Sequence, residues 1–115
     1  MARDLGLGKN KNRDRLDIVR DMLSAALVRV RKTNIMYKAN LSYHLLEKYL
    51  DSLLEAGLVE CDGNFYFTTK RGGLFLEQYN EYRERCNQID ESIDKALEAK
   101  QMLEEMCFNE KKTSI

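Results

Sequence analysis

Apolar residues recur at intervals of three and four along two stretches near the amino end, the spacing that one buried helix face requires. The first stretch predicts helix 1 over residues 14–28, and residues 29–32 form the connection after it. The second predicts a short helix 2 over residues 33–39, with Thr33 as its N-terminal cap. The apolar residues expected on these two buried faces are Leu16, Val19, Met22, Leu23, Ala26, Leu27, Ile35 and Met36.

A tight turn and a longer amphipathic helix follow helix 2. Asn40 tolerates left-handed backbone geometry and predicts the turn, and Leu41 is expected to fill the angle between the helices. Ser42 is expected to cap helix 3, which runs to Ala56 with Gly57 as its stop. The predicted buried stripe of helix 3 comprises Leu46, Tyr49, Leu50, Leu53 and Leu54.

Two short segments, 58–61 and 65–68, predict the strands of a hairpin. The Asp-Gly-Asn sequence at residues 62–64 supplies the turn chemistry between them. Thr69 is expected to cap a long helix 4, which no proline interrupts. Two helices, a turn, a third helix and a hairpin in this order describe a winged helix-turn-helix, a mainly α fold with a small β part. In this module, the second helix of the helix-turn-helix most often lies in the DNA major groove.

Helix 4 carries an almost unbroken apolar heptad, which is a coiled-coil signal. A small domain cannot cover so long a seam, and an unpaired seam would expose an apolar strip that monomers avoid. The sequence therefore predicts a homodimer through this helix. The predicted interface residues are Phe75, Tyr79, Tyr82, Cys86, Ile89, Ile93, Ala96, Lys100, Leu103 and Cys107.

The direction of the coiled coil follows from Lys100, the one polar residue of the seam. In a parallel pair, Lys100 would face its own copy across the core. In an antiparallel pair centred near Glu91, Tyr82 faces Lys100 and Ile89 faces Ile93. Each layer then pairs, and the ammonium group meets an aromatic ring instead of a second charge. We therefore expect an antiparallel pair.

The charged residues are unevenly distributed, although the net charge of the chain is zero. Residues 1–45 hold ten basic and four acidic side chains, a net charge of +6, and residues 46–115 carry −6. A polarised molecule can attract phosphate with one end, whereas an ordinary mixed surface would explain the same counts.

The sequence predicts four segments. They are a flexible basic arm at 1–12, a winged helix-turn-helix DNA-binding domain at 13–73, a coiled-coil dimerisation helix at 74–109 and a flexible tail at 110–115.

The candidate DNA-binding residues are basic or polar side chains before helix 2, on helix 2, at the start of helix 3 and at the hairpin tip. Glu47 and Asp51 would repel phosphate and limit how deeply helix 3 can sit. Tyr37 is expected to serve packing and not DNA contact. The full candidate set is Arg29, Arg31, Lys32, Thr33, Lys38, Ser42, Tyr43, His44, Lys48 and Asn64.

The chain shows no residue pattern typical of an enzyme. One histidine and three scattered cysteines give no zinc spacing, and no nucleophile lies in a recognisable catalytic pattern. We expect no enzyme activity, no metal and no cofactor. The chain shows no apolar run of membrane-spanning length and no hydrophobic signal-peptide core, so we expect a cytoplasmic, nucleoid-associated protein without a membrane partner.

Segment 32–43, Lys-Thr-Asn-Ile-Met-Tyr-Lys-Ala-Asn-Leu-Ser-Tyr, is followed by Leu46, Tyr49-Leu50, Leu53, Gly57-Leu58 and Thr69-Lys70-Arg71-Gly72. This pattern resembles the small, about ten-kilodalton archaeal winged-helix DNA-binding proteins. The resemblance implies dimerisation through a C-terminal antiparallel coiled coil, and sequence-tolerant binding of double-stranded DNA in chromatin organisation or transcription regulation. It maps the DNA-facing surface to the start of helix 3, the residues before helix 2 and the wing.

Three functional interpretations remain open on the sequence. The favoured one is a dimeric architectural protein that binds double-stranded DNA with low sequence specificity. The alternatives are a sequence-specific transcription regulator of the same fold and a winged helix that binds another protein.

Overall fold

The computed structural model of the chain describes residues 12–108, so the predicted arm, apart from Asn12, and the predicted tail lie outside the described residues. Residues 12–82 belong to one compact unit and residues 83–108 to another. The elements are α1 (Arg15–Ala25), β1 (Val30–Arg31), α2 (Lys32–Lys38), α3 (Tyr43–Glu55), β2 (Val59–Asp62), β3 (Phe65–Thr68) and α4 (Lys70–Cys107). Their order and the small sheet confirm the predicted mainly helical winged helix with a long C-terminal helix.

Helix α1 begins at a capping box and ends three residues earlier than the apolar spacing predicted. The Asp14 carboxylate accepts from the Asp17 backbone N–H at 2.9 Å, and the Asp17 carboxylate accepts from the Asp14 N–H at 3.1 Å. At the other end, Thr68 of β3 donates its hydroxyl to the Leu23 carbonyl and its N–H to the Ala26 carbonyl. The sheet therefore takes up the last carbonyls of α1 and turns the chain out of the helix.

Two residues assigned to the apolar face of α1 are exposed. Leu16 lies in the first turn of the helix, and Leu27 lies beyond its end, so neither reaches the core. The remaining predicted positions of this face are buried or pack against buried neighbours. The spacing of apolar residues therefore predicts the buried face of α1 correctly but extends it too far at both ends.

Strand β1 is absent from the sequence prediction, which treated residues 29–32 as a connection. Val30 pairs with Tyr66 and Arg31 with Phe65, antiparallel to β3. The strand runs directly into α2, so Arg31 occupies the cap position with extended backbone and no side-chain capping bond. The prediction of Thr33 as the cap is therefore wrong, because α2 already begins at Lys32.

The turn into α3 and the two ends of α3 follow the sequence prediction. Asn40 has a positive φ of 55°, and Leu41 beside it is buried. The Ser42 hydroxyl accepts from the Leu45 N–H at 3.2 Å and caps α3. The helix ends before Gly57, whose φ of +78° is costly for any residue with a side chain.

The sheet has the strand order β1-β3-β2, with both pairs antiparallel. Its inner face contributes Val30 and Val59 to the core, and Tyr66 packs against that core. The core itself lies between α1, α2, α3 and this face. Its buried members are Met22, Leu23, Ala26, Val30, Ile35, Ala39, Leu41, Leu46, Leu50, Leu53 and Val59.

The start of α4 is tied to the end of α3. The Thr69 hydroxyl donates to the Gly57 carbonyl at 2.6 Å, and the Arg71 Nε donates to the Ala56 carbonyl at 3.1 Å. The same hydroxyl accepts from the Gly72 N–H at 3.1 Å, which confirms Thr69 as the cap of α4. The Thr-Lys-Arg-Gly motif therefore joins two helices, with the arginine satisfying a carbonyl at the negative end of α3.

Early positions of the predicted seam make contacts within their own chain. The Tyr79 hydroxyl donates to the buried carboxylate of Asp17, and the Arg20 guanidinium lies 5.2 Å from the Tyr79 ring. Phe75 stacks on Tyr79 and packs against the core. Along residues 12–108, none of the helices is both long and apolar enough to cross a membrane.

Candidate nucleic-acid interface

The first two turns of α3 present polar and basic side chains to solvent. Leu46 and Leu50 are buried on one side of the helix, and the helical period therefore turns His44 and Lys48 outward, where both are exposed. Tyr43, directly after the cap, is 60% exposed. Hydroxyl, imidazole and ammonium donors of this kind can contact phosphate or base edges when a helix lies in a DNA groove.

An acidic residue joins α2 to α3 inside this surface. The Lys32 Nζ lies 2.6 Å from a carboxylate oxygen of Glu47 and 5.9 Å from the centre of the Tyr43 ring. The Tyr43 hydroxyl also hydrogen-bonds to Glu47. These three residues, Lys32, Tyr43 and Glu47, are called the Glu47 cluster below. The cluster places one carboxylate directly beside two predicted phosphate contacts.

The hydrogen bonds of the cluster shift the ionisation of all its members. The bond from Lys32, and then the bond from Tyr43, hold the pKa of Glu47 below its ordinary value of 4.5. The bond to Glu47 raises the pKa of Lys32 above 10.5 and that of Tyr43 above 10.0. Lys32 is therefore charged at neutral pH, and its charge is compensated by Glu47 and not free for phosphate.

The same shifts determine how the cluster affects stability. Glu47 has a lowered pKa in the folded protein. Its contribution to the stability of the fold is therefore present above pH 4.5 and is lost as pH falls through the lowered value. Lys32 has a raised pKa, so its contribution is present below pH 10.5 and is lost as pH rises through the raised value. About a third of each side chain is exposed to water, which screens the pair, and it therefore stabilises the fold little.

Helix α2 adds Thr33 and Lys38, both exposed. Tyr37 is 78% exposed, so the expectation that it serves packing is wrong. The turn after α2 is held by Arg13, whose guanidinium donates to the carbonyls of Ala39, at 2.5 Å, and Asn40, at 2.9 Å. This contact crosses 26 residues of sequence, and no local pattern could have indicated it.

Arg29 and Arg31 point away from the Glu47 cluster. Val30 between them is buried, and since successive residues of a strand alternate, the two arginines lie on the outer face of the sheet. The Arg29 guanidinium lies 5.6 Å from the ring centres of Phe65 and Phe67, and that of Arg31 lies 5.2 Å from Phe65. The predicted phosphate group 29–32 is therefore divided between two surfaces.

The remaining candidate, Asn64, is exposed in the turn between β2 and β3. The structure thus brings Lys32, Tyr43 and the exposed start of α3 together, and it places Arg29 and Arg31 with two phenylalanines elsewhere. Among the described residues, no group of three or more histidine, cysteine or acidic side chains could hold a metal ion.

Comparisons with known proteins agree with this architecture. The structure is similar to the crystal structure of Sso10a-2, a DNA-binding protein from Sulfolobus solfataricus, with a TM-score of 0.60 and 25% sequence identity. The match covers 74% of this chain and 97% of that one. No curated protein matches the chain. The family model described as winged helix-turn-helix matches residues 12–87, well over half of the sequence, and the chain therefore belongs to the winged helix-turn-helix family.

Proposed function

We propose that this protein is a homodimer that binds double-stranded DNA with low sequence specificity and organises chromosomal DNA. The observation that carries the proposal is the exposed start of α3, where Tyr43, His44 and Lys48 project from a capped helix. The winged helix-turn-helix family and the similarity to a DNA-binding protein support it. The role is one of binding and not of catalysis.

Low specificity follows from the charges around this surface. Specific recognition requires several side chains that reach base edges, whereas phosphate contacts position a protein without reading sequence. Glu47 and Asp51 lie on the exposed part of α3 and oppose deep insertion between phosphates. Lys48 and Lys38 are then left to contact the DNA backbone, whereas the hydroxyl of Tyr43 is already bonded to Glu47.

Dimerisation is supported by apolar side chains that α4 leaves in solvent. Ile89 is exposed, as are Leu97 and Leu103, at 54% and 61%. Burial of large aliphatic side chains is favourable by about 1.5–3 kcal/mol each, so a second copy of α4 would stabilise both chains. Because Phe75 and Tyr79 pack within their own chain and Cys86 is also buried there, the proposed interface depends chiefly on the exposed seam residues from Tyr82 onward, such as Ile89 and Leu103.

The test is a titration of mixed-sequence duplex DNA at two salt concentrations, combined with the molecular mass in solution. We expect a dimer whose affinity falls steeply as salt rises, because bound phosphates release counterions. Lys48→Ala should weaken binding to all sequences. It should also reduce the salt slope, the slope of the logarithm of the binding constant against the logarithm of the salt concentration, by about one per protomer. Lys95→Ala, which removes an exposed lysine from α4, is the matched control and should leave the affinity unchanged.

Two other outcomes would indicate a different function. Protection of one defined site in a footprinting experiment, with weak binding elsewhere, would indicate a sequence-specific regulator. A protein whose interaction with DNA is absent or independent of salt would instead fit a winged helix that binds another protein.

A further inference from the structure

The outer face of the sheet combines aromatic rings with arginines. The register places Phe65 opposite both Arg31 and Asp62, and it places Glu60 opposite Phe67. Arg29 precedes β1 and lies within 5.6 Å of both rings. We define the outer-face patch as Arg29, Arg31, Phe65 and Phe67.

Three of the four patch residues are exposed, and Phe67 is half-buried. Phe65 is 37% exposed, Arg31 is exposed, and the Arg29 side chain is 52% exposed. The core of the domain lies against the opposite face of the sheet, where Val30 and Val59 are buried. The two phenylalanines therefore contribute little to that core, and their position calls for another role.

We propose that the outer-face patch binds single-stranded DNA by stacking unpaired bases on Phe65 and Phe67. This activity goes beyond the proposed binding of duplex DNA, which uses α3 on a different surface. Aromatic rings and guanidinium planes are the groups on which proteins stack bases, and arginines also neutralise the backbone that links those bases.

The spacing of the rings selects a single strand over a duplex. Phe65 and Phe67 are two residues apart on one strand, so their attachment points are separated by about 7 Å. Bases within a duplex strand rise by only about 3.4 Å and cover one another. Two rings side by side on a sheet therefore match neighbouring bases that have been splayed apart.

The charges on the face define where the phosphates would run. Arg31 lies on the β1 edge, whereas Glu60 and Asp62 lie on β2 at the opposite edge, and the Arg29 guanidinium reaches across the face to Asp62. A bound backbone would follow the β1 edge at Arg31 and draw Arg29 away from Asp62. Arg29 is 2.9 Å from Asp62 in an exposed ion pair, which stabilises little and can be exchanged for a phosphate.

The direct test measures the anisotropy of a fluorescent oligothymidine with the full chain at low salt. The double variant Phe65→Leu, Phe67→Leu keeps apolar side chains and removes both π faces. It should lose at least about twentyfold in affinity for the oligonucleotide and keep its affinity for duplex DNA. Phe65→Trp retains a stacking surface and should bind as well as the parent or better.

Matched controls separate stacking from attraction to charge and from misfolding. An oligonucleotide of equal length without bases keeps the phosphates and should bind much more weakly. Lys48→Ala should reduce duplex binding and spare the oligothymidine. Thermal melting of the leucine variants establishes that they fold, and Phe65→Trp provides a folded reference with an aromatic side chain.

Three results would overturn base stacking on this patch. They are equal affinity for the oligonucleotides with and without bases, full affinity in the folded double leucine variant, and no binding of oligothymidine by the parent chain. Stronger binding of oligouridine would refute the assignment to DNA. Failure of the parent to bind duplex DNA would refute only the proposed function, because duplex binding and oligothymidine binding are measured separately.

Discussion

At the scale of single residues, Gly72 and Gly73 are adjacent in the first turn of α4 and have opposite surroundings. A Cβ atom added at Gly72 would overlap the Leu58 carbonyl oxygen and lie 2.5 Å from the Thr68 methyl carbon. A Cβ atom at Gly73 would have no neighbour within 4 Å. The first glycine is therefore required by close packing, and the second only weakens the helix.

We expect Gly72→Ala to lower the free energy of unfolding by about 1–3 kcal/mol, because backbone must move to admit the methyl group. Gly73→Ala should raise it by about 0.5–1 kcal/mol, because alanine loses less backbone entropy in a helix. Urea unfolding of both variants beside the parent measures the two effects. Equal effects of the two substitutions would show that α4 does not approach Leu58 and β3 this closely.

At the scale of elements, the Glu47 cluster links α2 to α3 within the proposed duplex-binding surface. Its carboxylate holds Lys32 and Tyr43 and compensates the charge of the lysine. The cluster therefore orders the surface and reduces its attraction for phosphate at the same time.

We expect Glu47→Gln to raise the affinity for mixed-sequence duplex DNA severalfold and to steepen the salt slope by about one per protomer, because Lys32 becomes free to contact phosphate. Titrations at two salt concentrations measure both quantities. Glu55→Gln is the matched control. It removes the same charge from the last residue of α3, about 12 Å along the helix from Glu47, and should change the affinity much less. Identical responses of the two variants would mean that only net charge matters.

At the scale of the whole molecule, the assembly depends on how two copies of α4 pair. In the antiparallel arrangement, Tyr82 of one copy faces Lys100 of the other. The two copies of Tyr82 are then about 27 Å apart along the helices, at about 1.5 Å per residue. A disulfide requires Cα atoms within about 7 Å, so crosslinking distinguishes the two directions.

We expect a mixture of Tyr82→Cys and Lys100→Cys proteins, each with the three native cysteines replaced by alanine, to form a mixed disulfide on oxidation. Neither protein alone should crosslink efficiently in dilute solution. Non-reducing electrophoresis with mass spectrometry identifies the products. Rapid crosslinking of Tyr82→Cys with itself would indicate a parallel pair, and a monomeric mass would remove the dimer altogether.

Local signals in the sequence were sufficient for the elements whose causes are local. Asn40, Ser42 and Gly57 act through the backbone within a few residues of themselves, and the structure confirms the turn and both helix ends. The hairpin and the capping of α4 by Thr69 were predicted for the same reason.

The candidate site was only partly predictable, because its geometry depends on contacts between distant segments. A two-residue strand such as β1 is too short to show alternation, and it exists only because β3 pairs with it. That pairing directs Arg31 to the outer face, and Lys32 in the next element reaches Glu47, fifteen residues further on. The sequence alone predicts that Arg31 and Lys32 belong to one group of phosphate-binding residues.

The sequence by itself determined the winged helix order, the apolar faces and the donors at the start of α3, because helical period and turn chemistry are written in neighbouring residues. Only the tertiary structure decided which charges remain available to a ligand. Arg13 donates to carbonyls at the end of α2 and Lys32 is paired with Glu47, whereas Arg29 makes an exposed ion pair with Asp62 that a phosphate can replace. The physical reason is that a charge is compensated by its neighbours in space, and folding brings those neighbours from elsewhere in the chain.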